Sequence, residues 1–432
     1  MFGFGKENNK QKVSTESYKG VRDFYPEDKR VRDYIFNTWA KVVESFGYES
    51  YDASIIEPLE LYKSKSSEEI VNEQIYSFKD RGDREVALRP EMTPTVARMI
   101  AGKINETPFP ARWYSIPNVF RYEKPQRGRL REHWQLNVDL FGPNSVEADT
   151  EIITIGSNIM KAFRATEADF EIRINSRSLM NNLYEKLEIP MDKWQTVSRI
   201  IDKKEKISGE AFAGALTDEL GETGARLREL LESGEGIFEM LGETEQVQRL
   251  NKIINMLWDL DIRNVKFVPY LTRGFDYYTG IIFEIFDTNK ENPRSIFGGG
   301  RYDNLLAIFS DKKMPAVGFG LGDLTMRDFL ETHNLLPKFE NQLKIWICPA
   351  PGVDMTEIYK ISQELREKGI SNSIDLSDKK LGEKIAGGEK RGVPYVLIIG
   401  NDEISNKKYK LKIMTEREEK ELSLEEIVSM VR

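Results

Sequence analysis

The segment from Trp134 to Leu140 alternates polar and apolar residues, and this pattern constrains the fold more than any other part of the chain. Successive side chains of a β-strand point to opposite faces of the sheet. The two faces consist of Leu136, Val138 and Leu140 on one side, and Gln135, Asn137 and Asp139 on the other. The apolar face can enter a core, whereas a polar face in mid-core requires a ligand. The sequence therefore predicts a strand with one packed face and one binding face.

A second strand pattern, Trp113 to Arg121, is joined to the first by a polar loop, which is typical of an antiparallel hairpin. Basic residues on or beside the loop are Arg121, Lys124, Arg127, Arg129 and Arg131. The loop is either a solvated turn or a contact for phosphate. For a nucleotide, Arg121 could neutralise a phosphate, Glu123 could accept from an exocyclic amine, and His133 could stack on a base.

Composition excludes several classes of protein. The 432 residues suffice for two or three folded domains, and the net charge of −8 argues against non-specific coating of nucleic acid, although a local basic face could still bind RNA. The single cysteine, Cys348, rules out a disulfide within this chain and fits a reducing, cytoplasmic compartment. The two histidines exclude a multi-histidine metal site, so no side-chain metal ligands are assigned. No apolar run approaches the roughly 18 residues that span a bilayer, so no membrane association is expected.

Local patterns divide the chain into several regions. A helix is predicted over Glu27 to Phe46, and a short strand over Ser54 to Pro58. Alternating strand and helix signals after Pro337 indicate a separate α/β domain. The predicted regions are a polar leader (1–17), a core in two parts (18–177 and 262–335), an inserted, mostly helical domain (178–261) and a C-terminal α/β domain (342–432).

The segment Arg89 to Thr95 places a carboxylate and hydroxyls before a predicted helix. One interpretation is helix capping at Thr93. The other is that Glu91 binds the ammonium group of a substrate in a partly closed site.

Two glycine clusters, Gly298–Gly300 and Gly318–Gly322, are also ambiguous. The first is either a flexible turn or a place where backbone approaches a ligand closely. The second has the wrong spacing for a dinucleotide fingerprint. A further segment, L-T-R-G-F-D-Y-Y-T-G, sets Arg273, Asp276, Tyr277 and Tyr278 before an apolar run, which suits a small polar ligand next to a phosphate.

Together these segments resemble the class II histidyl-tRNA synthetase family. F-R-Y-E-K-P-Q-R-G-R-L-R-E-H-W-Q resembles the second class II motif in its histidyl form, and R-G-F-D-Y-Y with G-G-G-R-Y-D resembles the paired histidine-binding signatures. The unit of helix, strand and Pro58 resembles the dimer-forming first motif. Gly318–Gly322 resembles the third motif, which normally carries an ATP-packing arginine where Thr325 stands here.

The resemblance implies an α+β catalytic core built on an antiparallel sheet, a helical insertion and an anticodon-binding α/β domain. It implies a homodimer that activates L-histidine with ATP and Mg²⁺ and transfers it to the 3′ end of tRNA(His). Arg273 and Arg121 would flank the α-phosphate as catalytic residues. Glu91 would hold the ammonium group, and Asp139 and Tyr278 would meet the imidazole nitrogens, with glutamate replacing Asp139 in many bacterial members.

The remaining implied roles follow the same motifs. Histidine-binding positions are Glu91, Thr93, Gln135, Asp139, Arg273, Tyr277, Tyr278 and Tyr302. ATP-binding positions are Arg121, Glu123, Arg129 and His133. The acceptor end of the tRNA would meet Gln126 and Arg127. The anticodon would meet either or both of two basic runs, which could otherwise be merely solvated: Lys379, Lys380, Lys384, Lys390 and Arg391, and Lys407, Lys408, Lys410 and Lys412.

Two alternatives remain open. One is the non-catalytic, histidine-binding regulatory paralogue that partners ATP phosphoribosyltransferase, which usually lacks the C-terminal domain and degrades the R-G-x-D-Y-Y segment. Both features are present here. The other is a synthetase-like RNA-binding module without chemistry, against which intact Arg121 and Arg273 count.

Overall fold

The computed structural model describes residues 13–63, 73–272, 277–292, 294–309 and 313–432. The chain divides into two compact units, Met1–Leu336 and Pro337–Arg432. Among the described helices, none has both the length and the apolar character needed to cross a membrane.

The first unit combines strands and helices. Its strands are β1 (Glu49–Ser50), β2 (Ile56–Pro58), β3 (Tyr76–Lys79), β4 (Glu85–Leu88), β5 (Ala111–Ser115), β6 (Asn118–Phe120), β7 (Glu132–Phe141), β8 (Phe170–Ser176), β9 (Val265–Phe267), β10 (Ile281–Asp287), β11 (Ser295–Arg301) and β12 (Ala316–Gly322). Its helices are α1 (Pro26–Ser45), α2 (Leu59–Lys63), α3 (Thr93–Gly102), α4 (Val146–Ala162), α5 (Arg177–Lys186), α6 (Trp194–Ile201), α7 (Gly209–Leu220), α8 (Glu222–Ser233), α9 (Glu235–Leu241), α10 (Glu245–Asp259) and α11 (Asp323–Thr332).

The main sheet of this unit has the order β1-β5-β7-β12-β11-β10-β8-β9, and β6 also pairs with β7. Neighbouring strands are antiparallel except β1 with β5 and β8 with β9, which are parallel. A smaller antiparallel sheet has the order β2-β4-β3. The predicted α+β class with a largely antiparallel sheet is therefore confirmed.

The alternation along β7 has the predicted effect. Leu136 and Val138 are fully buried and belong to the same core as Trp39 of α1 and Ile152 of α4. Helices α1, α4 and α11 cover this face of the sheet, and the opposite face of β7 carries the polar residues. Truncating such a fully buried aliphatic side chain to alanine typically costs about 2–5 kcal/mol, so the covered face supplies stability to a sheet whose other face is polar.

Three predictions about local structure were wrong. The strand predicted from Trp113 to Arg121 is interrupted between β5 and β6, where Pro117 has no N–H to donate to a ladder. Thr93 does not cap α3, because Met92 occupies the cap position and makes no side-chain bond there. The cluster Gly298–Gly300 is not a turn, because it lies within β11 in the middle of the sheet.

The segment between β8 and β9 contains α5 to α10, and within the described residues its weak strand signals form no strand. These helices bury one side each, for example Phe212 and Leu216 of α7 against Leu227 and Leu231 of α8. This spacing of apolar residues is typical of amphipathic helices.

The second unit has strands β13 (Ile345–Pro349), β14 (Asn372–Ile374), β15 (Tyr395–Ile399), β16 (Tyr409–Ile413) and β17 (Glu418–Leu422) in the sheet order β14-β13-β15-β16-β17. Its helices are α12 (Met355–Glu367), α13 (Leu381–Lys390), α14 (Asn401–Asn406) and α15 (Leu424–Val431). The sequence did not predict α14 or the charged edge strand β17, because E-E-K-E-L has no apolar alternation.

Candidate active site

The polar face of β7 lines a cavity of about 120 Å³ in the first unit. Seven of the eight residues predicted to bind histidine surround it: Glu91, Thr93, Gln135, Asp139, Tyr277, Tyr278 and Tyr302. Arg273, the eighth, lies outside the described residues, as does Asp276. Asn137 also lines the cavity, as its place in the alternation of β7 indicates.

Asp139 is the buried carboxylate of this cavity, with only 4% of its surface exposed. The hydroxyl of Tyr302 donates to its Oδ1, while its buried Oδ2 has no hydrogen-bond partner among the described residues. Burial raises the pKa of Asp139 to about 7, and the bond from Tyr302 opposes this effect. A buried acceptor left open in a cavity is suited to an N–H donor of a ligand.

Glycine at position 318 allows this arrangement. A Cβ atom on Gly318 would lie 2.6 Å from Asp139 Oδ1, 3.1 Å from Tyr302 Oη and 2.4 Å from the carbonyl oxygen of Val138. Real Cβ atoms do not approach other atoms so closely, so any side chain here would displace the carboxylate or the neighbouring strand. The second glycine cluster therefore forms the floor of the cavity.

Glu91 is the second buried carboxylate and precedes α3, with 3% of its surface exposed. The hydroxyl of Tyr277 donates to Glu91 Oε2 at 3.4 Å. Nε of Arg121 donates to the carbonyl oxygen of Pro90 at 2.9 Å, which ties the guanidinium to the same turn. The turn thus places a carboxylate and a cation beside one another at the cavity.

Three tyrosines form an aromatic wall. The ring centroids of Tyr277 lie 4.9 Å from Tyr278 and 5.9 Å from Tyr302, in tilted and edge-to-face contacts. Burial, with the carboxylate of Asp139, raises the pKa of Tyr302 well above its usual range. Its hydroxyl therefore stays protonated near neutral pH and can donate.

A second cavity, of about 230 Å³, adjoins the first, and we call it the nucleotide cavity. All four residues predicted to bind ATP line it: Arg121, Glu123, Arg129 and His133. Arg121, Gln135 and Gly320 line both cavities. Arg121 therefore lies at their junction.

The histidine ring of the nucleotide cavity is held neutral. Burial, together with the charges of Arg121 and Arg22, lowers the pKa of His133 to about 3. The ring thus offers a flat, uncharged surface at physiological pH. Beside it, Arg129 pairs with Glu123 at 3.4 Å.

Sequence reasoning assigned no role to some residues of the nucleotide cavity. Glu284 lines it from β10, and Ser295 and Ile296 line it from β11. A charged residue within the apolar run I-I-F-E-I-F was the available signal for Glu284. Among the described residues no group of three or more potential metal ligands occurs.

Gln126 and Arg127, predicted to meet the acceptor end, line a third cavity of about 350 Å³. This cavity shares Gly128, Ser295, Ile296 and Thr325 with the nucleotide cavity. Reciprocal backbone bonds of 3.0 and 2.9 Å between Gln126 and Arg129 close the loop, and Gly128 adopts a φ of 72° there.

The nucleotide cavity receives no guanidinium group from position 325, which carries threonine, or from Arg327. Thr325 Oγ1 lies 2.7 Å from the carbonyl oxygen of Ile296 and 3.1 Å from that of Gly322, so its proton is used within the protein. Arg327 pairs with Glu331 at 2.7 Å and Asp28 at 3.2 Å and lines none of the three cavities.

The second histidine, His333, lines none of the three cavities. It follows the end of α11, and its side chain is mostly buried between two carboxylates. Nε2 lies 2.8 Å from Asp287, and Nδ1 lies 3.3 Å from Asp169. These partners are distant in sequence, so local patterns could not indicate them.

Comparisons with known proteins agree with this geometry. The histidyl-tRNA synthetase family model matches residues 20–324, and the anticodon binding domain model matches residues 344–432. The histidine–tRNA ligase of Leptospira biflexa is 43% identical over 431 residues, which cover 98% of each chain. The crystal structure of histidyl-tRNA synthetase from Nostoc sp. PCC 7120 has a TM-score of 0.81 at 25% identity, covering 97% of this chain and 99% of that one.

A structure from Bacillus halodurans C, named as an ATP phosphoribosyltransferase regulatory subunit/histidyl-tRNA synthetase, has a TM-score of 0.76 at 21% identity and covers 90% of this chain and 100% of that one. At that identity it shows a shared fold alone. The two family models and the Leptospira relative carry more weight, because they extend over the catalytic unit and the C-terminal unit together. On this evidence, the chain belongs to the histidyl-tRNA synthetase family.

Proposed function

We propose that the chain is a histidine–tRNA ligase, which activates L-histidine with ATP to histidyl-adenylate and then transfers histidine to the 3′ end of tRNA(His). The observation that carries this proposal is the junction of two cavities at Arg121. One cavity is small and rich in buried polar groups, and the other has a flat ring and basic groups. A small amino acid and a nucleotide would thus meet at a guanidinium.

The small cavity would hold histidine. Asp139 Oδ2 would accept from one imidazole nitrogen, and Tyr278 would meet the other. Glu91 would pair with the ammonium group, and Thr93, Gln135, Tyr277 and Tyr302 would complete the wall. A site that satisfies both ring nitrogens rejects isosteres lacking them, because its own buried polar groups would then be left unpaired.

Adenylate formation would need positioning and charge stabilisation more than acid–base chemistry. A carboxylate oxygen of histidine attacks the α-phosphorus of ATP, and diphosphate leaves. Arg121 would hold the α-phosphate from the junction, and Arg273 would hold it from the opposite side. In the second step, the terminal ribose hydroxyl attacks the carbonyl carbon, and AMP leaves.

Mg²⁺ would accompany ATP. Besides Glu123, which is assigned to the base, the nucleotide cavity offers the carboxylate of Glu284, and Mg²⁺ is usually bound by one or two carboxylates together with substrate phosphates. The residues therefore fit the ion. When bound, it would neutralise charge on the phosphates.

Transfer RNA would contact both units. The loop at Gln126 and Arg127 would approach the acceptor end. In the C-terminal unit, Lys408 and Lys410 pair with Glu426 at 2.8 Å and Glu403 at 3.0 Å, which reduces the free charge of that run. The other run forms no ion pair among the described residues and is our preferred anticodon contact: Lys379, Lys380, Lys384, Lys390 and Arg391.

The assembly would be a cytoplasmic homodimer. The first-motif unit supports this, because Ile55 and Ile56 beside and within β2 are exposed apolar residues. Adjacent exposed apolar side chains are typical of surfaces that a partner covers. The solution mass, measured by light scattering, tests the dimer.

Histidine-dependent exchange of diphosphate into ATP tests the activity. Wild-type protein should catalyse the exchange, Arg121→Ala and Arg273→Ala should each lose it, and Arg84→Ala should retain it. Arg84 is a suitable control because it is exposed and pairs only near its own turn, with Asp80. Histidine binding without exchange would instead favour the regulatory paralogue.

A further inference from the structure

The nucleotide cavity has one flat wall and one open wall. A Cβ atom on Gly322 would lie 4.0 Å from His133 Cδ2 and 3.6 Å from Thr325 Oγ1, so both side chains border Gly322. His133 supplies a flat, neutral ring. Thr325 has no planar group, and its hydroxyl is bonded to the backbone. A base stacked on His133 would therefore have one uncovered face.

The nearby arginines of the hairpin loop are already paired with carboxylates. Arg129 lies 3.4 Å from Glu123, and Arg127 lies 3.8 Å from Asp328. These two guanidinium groups are therefore already engaged with carboxylates.

Arg294 immediately precedes β11 and has such a guanidinium. It is exposed, and its Nη2 donates to the amide oxygen of Gln126 at 3.2 Å. In the described part of the chain, no carboxylate lies within ion-pair distance of it. None of the described carboxylates therefore neutralises its charge.

The position of Arg294 is fixed relative to Thr325. The carbonyl oxygen of Ile296, two residues later, accepts from Thr325 Oγ1, so the start of β11 packs directly on this threonine. Arg294 lines the third cavity, and Ser295 and Ile296 line both that cavity and the nucleotide cavity. The guanidinium thus lies in the cavity that borders the nucleotide cavity along Thr325 and the start of β11.

We infer that Arg294 covers the second face of the adenine base, in place of a cationic side chain at position 325. A guanidinium is planar and stacks on aromatic rings, which an ammonium group does less well. This inference rests on the proposed function, because it concerns how that reaction holds ATP.

The experiment is histidine-dependent diphosphate exchange with Arg294→Ala, Arg294→Lys and the control Lys290→Ala. Lys290 is an exposed cation of the same connection and lines none of the three cavities. Arg294→Ala should raise the KM for ATP roughly tenfold and leave the KM values for histidine and diphosphate within about twofold. Arg294→Lys should resemble Arg294→Ala, because it keeps the charge and loses the plane.

The outcomes separate the two proposals. An inactive wild-type protein would remove the proposed function, and this inference with it. If the wild-type protein is active and Arg294→Ala leaves the KM for ATP unchanged, the inference about Arg294 is overturned and the proposed function stands. Full activity of Arg294→Lys, or a KM for diphosphate that rises with that for ATP, would also overturn it, since either would indicate a phosphate contact.

Discussion

Substitution of Asp139 by asparagine should make the free energy of unfolding less dependent on pH. Burial raises the pKa of Asp139 from its ordinary value of 3.8 to about 7. Because the folded pKa is above the unfolded one, the stability that this carboxyl group contributes is fully present below about pH 4 and is lost as the pH rises to about 7. At about 1.4 kcal/mol per tenfold change in protonation equilibrium, the loss amounts to about 4 kcal/mol.

Asparagine cannot ionise, yet its oxygen can still accept from Tyr302. The difference in unfolding free energy between Asp139→Asn and wild type should therefore shift in favour of the variant as the pH rises. Roughly 2 kcal/mol of this shift should fall between about pH 5.5 and 8.5. The other titrating groups are common to both proteins, and Tyr302, whose pKa the Asp139 carboxylate helps to raise, titrates above this pH range.

Urea titrations at a series of pH values would measure this difference. A Trp346→Phe background makes tryptophan fluorescence report on the first unit, because Trp346 is the one tryptophan of residues 337–432. A difference that stays constant with pH would refute the reasoning, since it would mean that the carboxylate is well solvated. In parallel, calorimetric titration should show histidine binding weakened roughly 10- to 100-fold by Asp139→Asn, because an amide N–H would face the ligand where an acceptor is needed.

Three other substitutions probe separate parts of the molecule. Gly318→Ala should raise the KM for histidine at least tenfold in diphosphate exchange, since its Cβ would lie 2.6 Å from Asp139 Oδ1; an unchanged KM would contradict the assigned floor. Arg249→Met should lower the unfolding free energy by about 1–3 kcal/mol, measured in urea, because Arg249 lies 2.6 Å from the fully buried carboxylate of Asp149; no change would show that Arg301 alone satisfies it. Ile347→Ala should lower the unfolding free energy of the second unit by about 2–5 kcal/mol. This variant should also reduce tRNA charging while diphosphate exchange persists. Equal loss of both activities would count against separate roles for the units.

The sequence predicted those parts of the fold that depend on local order. The alternation of β7 determines which residues face the core and which face the cavity, and a periodic helix such as α1 shows its buried side directly. The glycines of β11 could not be interpreted in this way. A Cβ on Gly299 would lie 1.9 Å from the carbonyl oxygen of Gly318, an atom 19 positions away in sequence, so the requirement for glycine arises only after the strands have paired.

The residues of the candidate site divide in the same way, into those that a local pattern indicates and those that come together only after the strands have paired. Residues within a motif, such as Glu123 and His133, could be assigned to the nucleotide because they belong to one continuous segment that resembles the second class II motif. Glu284 and Arg294 belong to no such local pattern and reach the nucleotide cavity or its neighbour only through strand order. Position 325 shows the limit most clearly: the sequence reveals that arginine is missing, but the cation that we propose in its place, Arg294, precedes β11, which only the folded chain brings next to Thr325.

The glycines of the paired strands β11 and β12 affect both the stability of the sheet and the binding of the ligand. Glycine within a strand weakens it, by roughly 0.5–1 kcal/mol relative to alanine, and β11 and β12 carry several at the centre of the sheet. The same strands place Phe297 and Phe319 in the main core, so the apolar face offsets what the glycine face loses. A larger residue at Gly318 would add strand propensity while displacing the carboxylate of Asp139, whose Oδ2 has no hydrogen-bond partner among the described residues. Glycine, which weakens a strand, is therefore the residue that leaves room for the ligand. Substitutions on this face that stabilise the strand should reduce histidine binding.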